Sequence, residues 1–219
     1  MTTRHLFDKS LEELNEKIEY LGNMVNNQIE EAMIALVNQD FELANQVITG
    51  DIEINELQSA LEESCMLLIA TQQPFAKDLR KIVAAFKISI NLERMGDLAV
   101  DIAKLTIRSG DQPLLKPLLD IPRMAEQVRK MVLKGIEACK AEDAEAAREM
   151  SQMDDAVDHL YAQVFRELLV FMMEDPHKIS QATYLIFTAR FLERMGDYCT
   201  NIAEEVVYIV TGKRSDLNQ

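Results

Sequence analysis

The sequence predicts an all-α protein made of two tandem, pseudo-symmetric three-helix bundles, six long helices in all, and three observations carry that prediction. The 219 residues include only 7 glycines, 5 prolines, no tryptophan and 6% aromatics, and these scarce residues are the ones that strands and their turns favour. Apolar residues recur at three-and-four spacing, as at Leu11, Leu14, Ile18, Leu21, Val25, Ile29 and Ala32, which describes one face of a helix. Finally, Leu92-Glu93-Arg94-Met95-Gly96-Asp97 returns letter for letter as Leu192-Glu193-Arg194-Met195-Gly196-Asp197, and a repeat of this kind points to a duplicated unit.

Breakers are few, so the helices are long, and each ends where a capping residue, Pro or Gly stands. The first helix spans 8–38 and stops at Asn38-Gln39-Asp40. The second, 41–72, ends before Gln73-Pro74, and the third, 76–109, ends at Ser109-Gly110. After the proline-bearing segment from Gly110 to Pro122, a fourth helix covers 120–140 and stops at Ala141-Glu142-Asp143. A fifth, 143–174, runs to Asp175-Pro176, and a sixth, 177–211, ends at Thr211-Gly212. A helix of roughly 35 residues reaches about 50 Å.

The duplication extends beyond the hexapeptide. Asp40, Ala44, Asp51 and Leu57 match Asp143, Ala147, Asp154 and Leu160 at a constant offset of 103. The hexapeptides lie 100 apart, so three residues are lost near the turn between the second and third helix of the second half. The expected organisation is a first three-helix repeat over 1–110, a linker over 111–122 and a second repeat over 123–219. Each unit of about 100 residues is large enough to bury its own core.

Charge and composition exclude several function classes. With 37 Asp plus Glu against 23 Lys plus Arg, the formal net charge is −14, and such a field repels nucleic acid. No basic stretch leads into an apolar core at the N-terminus, and no run approaches ~18 apolar residues, so neither a signal peptide nor a membrane span is expected. Cys65, Cys139 and Cys199 are odd in number and lack a C-x-x-C spacing, which suits buried thiols in a reducing compartment. The expected location is the cytoplasm.

The chemistry lies in the carboxylates. Glu93, Asp97 and Asp101 are spaced by four, as are Glu193, Asp197 and Asn201, so each triplet forms an oxygen-bearing stripe along one helix face. The preceding helix carries Asp51 with Asn55 in one repeat and Asp154 with Asp158 in the other. Residues equidistant from a tight turn lie level on antiparallel helices. The pairs 51/97 and 55/93 both centre on Pro74, while 154/197 and 158/193 both centre between Asp175 and Pro176. The expectation is therefore two four-oxygen clusters, one per repeat. Crowded carboxylates repel unless a cation neutralises them, and an all-oxygen donor set favours Mg²⁺, Mn²⁺ or iron over Zn²⁺. An acidic stripe at helical spacing is ordinarily a solvated face paired with arginines such as Arg94 and Arg194. Repetition and level matching in both halves argue for more than that. Gly96 and Gly196 cost ~1 kcal/mol each inside a helix, which a close helix approach would explain, while Met95 and Met195 are expected in the core.

The doubled hexapeptide on the last helix of each unit, the Val47-Ile48-Thr49-Gly50-Asp51 segment, and Pro74 followed by Lys77-Asp78-Leu79-Arg80 make the chain similar to the PhoU family of bacterial phosphate-transport regulators, over roughly residues 5–212. The resemblance implies a cytoplasmic adaptor of two similar three-helix bundles, commonly a homodimer. Such proteins negatively regulate the phosphate-starvation response by linking the high-affinity phosphate ABC transporter, through its ATPase subunit, to a membrane sensor histidine kinase, and they meet the membrane only through those partners. Some members bind metal clusters through a Glu/Asp-x-x-x-Asp motif, which falls here on Glu93, Asp97 and Asp101 and on Glu193, Asp197 and Asn201. The chain departs from a fully acidic pattern at Asn55 and Asn201, where a neutral amide oxygen makes a weaker, more labile ligand set. Accessory proteins of low-affinity phosphate permeases share the bundle style, but the compact doubled repeat fits PhoU better.

No Ser-His-Asp or Cys-His arrangement, P-loop or dinucleotide fingerprint is present, so the sequence reads as a non-enzymatic regulator. The Glu-x-x-His pattern of di-iron bundles is missing; His159 points about 100° away from Asp158 on a helix, and His5 and His177 lie near helix ends. The competing reading is a carboxylate-bridged metal-dependent enzyme, which lacks a general base other than the ligands themselves. Without a glycine loop or an arginine cluster, direct phosphate binding is not expected.

Overall fold

The computed structural model describes residues 3–217, without the side chains of residues 3, 4 and 6. The chain folds into α1 (Thr3–Asn38), α2 (Phe41–Gln72), α3 (Ala76–Ser109), α4 (Asp120–Ala141), α5 (Ala144–Ser151), α6 (Asp154–Glu174) and α7 (Ile179–Thr211), with a 3₁₀ turn at Pro176–Lys178. The described residues contain no strand, and no helix is long and apolar enough to cross a membrane. Helices α1, α2 and α3 form one bundle, and α4, α5 with α6, and α7 form the other; α3 packs on α7 and α1 on α4 to join them.

Helix ends repeat as the sequence does. The Asp40 side chain caps α2 by accepting from the backbone N–H of Glu42 (3.1 Å) and Leu43 (2.9 Å), and Asp143 caps α5 through Glu145 and Ala146. Each satisfies donors that a helix start leaves free. The residues just before them, Gln39 and Glu142, both take left-handed backbone, with φ of 52° and 50°. Lys77 and Lys81 both pair with Glu142, tying the end of α4 to the start of α3.

One boundary differs from expectation. The fifth helix, expected to be continuous over 143–174, is broken at Gln152 and Met153, where Met153 N–H turns back to the Met150 carbonyl (3.0 Å). The Ser151 hydroxyl donates to the Arg148 carbonyl (2.8 Å), and Asp154 with Asp155 suits a new helix start. The fourth helix starts where expected: α4 begins at Asp120, with Pro122 tolerated in its first turn. The segment ahead of α4 is held to α7 by Gln181, which accepts from Leu115 N–H (2.6 Å) and donates to the Pro113 carbonyl (3.1 Å).

Core positions recur at the same offsets. Leu92, Met95 and Ile102 are buried, and so are Leu192, Met195 and Ile202; Val47, Ile54 and Leu61 likewise answer to Met150, Val157 and Val164. Cys65, Cys139 and Cys199 are buried and reduced, and burial pushes the first two thiols up to about 11 and about 12, which leaves them unreactive at neutral pH. At the joint, Lys87 pairs with Glu205 (2.8 Å), and the Arg94 guanidinium lies 6.0 Å from the Tyr198 ring centre. As one number rises the other falls, so α3 and α7 run antiparallel.

The α1–α4 contact depends on Gly22. A Cβ there would overlap the side chain of Ile136 on α4, which is 5% exposed. Gly22→Ala gains about 1 kcal/mol of helix propensity against an overpacking cost of about 1–3 kcal/mol, and should lower stability by about 1 kcal/mol. Trimming the colliding methyl with Ile136→Val should make the double variant more stable than the two single changes sum to. Strict additivity in a denaturant double-mutant cycle would refute the contact.

Candidate metal centre

In the first repeat, α2 and α3 return antiparallel from the turn at residues 73–75, bringing Asp51 against Gly96. A Cβ on Gly96 would stand 3.4 Å from Asp51 Oδ1 and 3.0 Å from Gln28 Oε1, so the missing side chain is what admits a carboxylate at this crossing. Asp51 is 9% exposed, and both its oxygens are engaged. Gln28 Nε2 donates to Oδ1 (3.1 Å) and Asn55 Nδ2 to Oδ2 (2.9 Å). Burial raises the Glu93 carboxyl above its ordinary range, with Asp97 and Asp51 adding repulsion. Asp97 is raised by burial, then by Asp51 and Asp101. The structure thus brings Asp51, Asn55, Glu93 and Asp97 together. Asp101 lies at the edge, 44% exposed and paired with Lys104 at 3.1 Å.

The second repeat has the same plan with different surroundings. Asp154 stands in the first turn of α6, and its Oδ2 accepts a 3.4 Å hydrogen bond from the Thr200 hydroxyl. Its Oδ1 is buried without a partner, lying on Gly196 where a Cβ would overlap it. Burial, then Asp158 and Asp197, push this carboxyl up to about 7. Glu193 is held through one oxygen by Arg190, while Oε2 is buried and unpartnered. Burial raises it, as do Asp197 and Asp158, and Arg190 opposes them. Asp197 is raised by burial and by Asp158. Asp154, Asp158, Asp197 and Asn201 border a cavity of about 490 Å³, together with Ser151 and Arg194.

No group of three His, Cys, Asp or Glu side chains among the described residues is drawn together tightly enough to hold an ion by itself. In the second repeat Asp154, Asp158 and Asp197 border a space instead. The donor set is oxygen throughout, and two buried carboxylate oxygens in the second repeat lack partners. That chemistry fits a hard cation of the Mg²⁺ class, which is held through one or two carboxylates and keeps several waters.

Reasoning from acidic spacing alone passes over Gln28, Thr200 and Arg190. Gln28 carries a signal, since an amide interrupts the apolar stripe of Val25, Ile29 and Ala32 and is 6% exposed. Thr200 and Arg190 have no comparable mark in the sequence.

A model of the PhoU domain matches residues 18–106 and again 121–206. A phosphate-specific transport system accessory protein PhoU homolog from Clostridium acetobutylicum is 40% identical over 217 residues, 99% of each chain. The crystal structure of PhoU from Pseudomonas aeruginosa superposes with a TM-score of 0.90 at 36% identity, covering 94% of this chain and 100% of that one. The phosphate transport system regulatory protein PhoU from Streptococcus pneumoniae superposes with a TM-score of 0.89 at 31% identity, covering 96% and 99%.

The raised carboxylates set a pH dependence. Glu93, Asp97, Asp154, Glu193 and Asp197 keep protons in the folded chain at pH values where the unfolded chain has released them. Between the ordinary carboxylate range and about 7, the upper bound set by Asp154, the folded state binds more protons, so stability falls as pH rises. One fully coupled proton is worth about 1.4 kcal/mol per pH unit, and water screening reduces this for partly exposed groups. Chelator-treated protein should melt higher at pH 5.5 than at 7.5, and Asp154→Asn should flatten the slope. A flat profile in the parent chain would contradict this assignment.

Proposed function

The chain belongs to the PhoU family, and from that premise we propose that it serves phosphate-specific transport as an accessory protein, acting as a non-enzymatic adaptor that restrains phosphate uptake and the phosphate-starvation response. The observation that carries this reading is the near full-length similarity to a phosphate-specific transport system accessory protein, 40% identical over 99% of both chains. In this reading the protein, as a cytoplasmic homodimer, contacts the ATPase subunit of the high-affinity phosphate ABC transporter and a membrane sensor histidine kinase. It meets the membrane only through them. Support comes from the chain's long helical faces and its excess of acidic charge, −14, which suits steering toward a basic partner surface.

We include metal in the reading. Asp51, Asn55, Glu93, Asp97 and Asp101 in one repeat, and Asp154, Asp158, Glu193, Asp197 and Asn201 in the other, are the groups that would hold Mg²⁺, Mn²⁺ or iron. A bound cation would supply charge neutralisation and hold the paired helices α2/α3 and α6/α7 at fixed spacing. The chain's own residues hold the carboxylates in place: Gln28 and Asn55 orient Asp51, and Arg190 fixes Glu193. These are positioning and binding roles with no turnover.

Affinity-tagged protein incubated with membranes of its own source, grown at high and low phosphate, should recover the transporter ATPase or the kinase in at least one condition. Recovery of neither in both would defeat the adaptor reading. Replacing Glu93, Asp97, Glu193 and Asp197 with alanine together should lower metal content and partner recovery in parallel. Metal loss with undiminished recovery would separate docking from metal, and unchanged metal content would remove the clusters as its site.

A further inference from the structure

Helix α2 differs in charge from every other helix among the described residues. It carries Glu42, Asp51, Glu53, Glu56, Glu62 and Glu63 and no Lys, Arg or His. Each of the other helices has at least one acid in an ion pair, Glu30 on α1, Asp101 on α3, Asp120 on α4, Glu145 on α5, Glu167 on α6 and Glu205 on α7, while among the described residues no acid of α2 has one. Lys17 of α1 reaches the helix, but its ammonium donates to the Ser64 hydroxyl (3.1 Å). Glu53 and Glu56 stand one turn apart, where like charges repel.

The outward face of the same helix also presents apolar side chains. Ile52, Leu67 and Met66 are 62%, 61% and 58% exposed. Ile52, Glu56, Ser59, Glu63, Met66 and Ala70 follow one another at alternating intervals of four and three, and all are exposed, which is the spacing of a seam that receives a second helix. Ser59 and Ala60 line, with Ile52, Glu56 and Glu63, a trough of about 510 Å³, and small side chains at its middle let two helix axes come close. At the offset of 103 the matching residues on α6 are Asp155 for Ile52, His159 for Glu56 and Arg166 for Glu63. The acidic seam therefore belongs to the first repeat alone.

Two such seams laid together would set Glu56 and Glu63 against carboxylates of the same kind, so α2 does not suit its own twin. Acids without counter-ions, interleaved with exposed apolar residues at helical spacing, are matched by a helix that has an apolar stripe flanked by Lys or Arg. We propose that the outer face of α2 is a docking site for a basic amphipathic helix of a partner protein, which seats apolar side chains on Ile52 and Met66 and sets Lys or Arg against Glu56 and Glu63. This rests on the adaptor reading proposed above and gives it a surface. Apolar contact supplies the affinity, and the glutamates fix orientation and speed encounter. Because those glutamates are exposed, added salt weakens the contact.

The test is fluorescence anisotropy of the full chain with two labelled synthetic three-heptad helices, alike in a leucine stripe, which lysine flanks in one and glutamate in the other. The parent chain should bind the lysine peptide and not the glutamate peptide. Glu56→Lys with Glu63→Lys should weaken the lysine peptide at least tenfold and gain the glutamate peptide, a gain that misfolding cannot imitate. Ile52→Ala with Met66→Ala should weaken the lysine peptide at least fivefold. Glu137→Lys with Glu174→Lys, the same change of net charge on the second repeat, should alter it less than twofold. Equal loss from both charge reversals, or no gain of the glutamate peptide, would overturn the proposal. So would sedimentation showing that parent chains self-associate and that Glu56→Lys with Glu63→Lys separates them, since the face would then belong to a second copy. In the membrane recovery experiment the same double variant should lose the transporter ATPase or the kinase that the parent chain recovers. Undiminished recovery would overturn this face and leave the adaptor reading standing. A parent chain that recovers neither would overturn the adaptor reading, and the peptide results then decide the face by themselves.

Discussion

Asp51 and Asp154 each reach across to the helix carrying Gly96 or Gly196, and the missing Cβ at those two positions lets a carboxylate lie against backbone where a side chain would otherwise stand. Much else depends on that contact. It sets the level of α2 on α3 and of α6 on α7, and it places a buried acid within reach of the carboxylates spaced by four along the facing helix. Glycine weakens each helix by ~1 kcal/mol, and the burial it permits raises the proton affinity of the acids around it. The two penalties coincide at one locus in both repeats, where stability is given up for a local concentration of negative charge.

That locus refines the meaning of the composition. A net charge of −14 by itself argues only against a nucleic-acid partner. Eight of the acids belong to the two clusters, and several of these are shifted toward protonation by burial and by each other. Only Asp154, pushed up to about 7, sits near neutrality. Helix α6 adds a local counterweight, because its break from α5 puts Asp154 and Asp155 in a first turn, where the helix dipole favours anions.

The helical plan was legible because its signals are local: capping aspartates at Asp40 and Asp143, prolines at the hairpin turns, apolar residues at helical spacing. The level of the acids was legible too, since an antiparallel hairpin turns sequence distance from Pro74 or Pro176 into height along the bundle. What could not be read has a shared cause. The break at Gln152 and Met153 contains neither Gly nor Pro, so no breaker residue marks it in the sequence. Thr200 and Gln28 act across elements, Gln28 from α1 onto α2, through contacts that no spacing rule within one helix encodes. The difference between the repeats lies in these second-layer groups.

Duplication explains why the hexapeptide is kept whole while its surroundings diverged. Core positions tolerate only apolar groups of similar volume, and Leu92 with Met95 and Leu192 with Met195 are fully buried. Gly96 and Gly196 are fixed by the approaching carboxylate, and Glu93, Asp97, Glu193 and Asp197 are members of the clusters. Arginine completes the set. Arg94 and Arg194 each lie 6.0 Å from the centre of the Tyr198 ring, Arg94 from α3 and Arg194 from the ring's own helix, close to the level at which α3 and α7 cross. Arg94 also lowers the proton affinity of Glu93, and Arg194 that of Asp197. All six letters therefore answer to constraints acting on the same two turns of helix: two to packing, one to close approach, two to the acidic cluster and one to charge at the joint. Gln28 and Met131, and Asn55 and Asp158, lie outside the hexapeptide, and those are positions at which the repeats have separated.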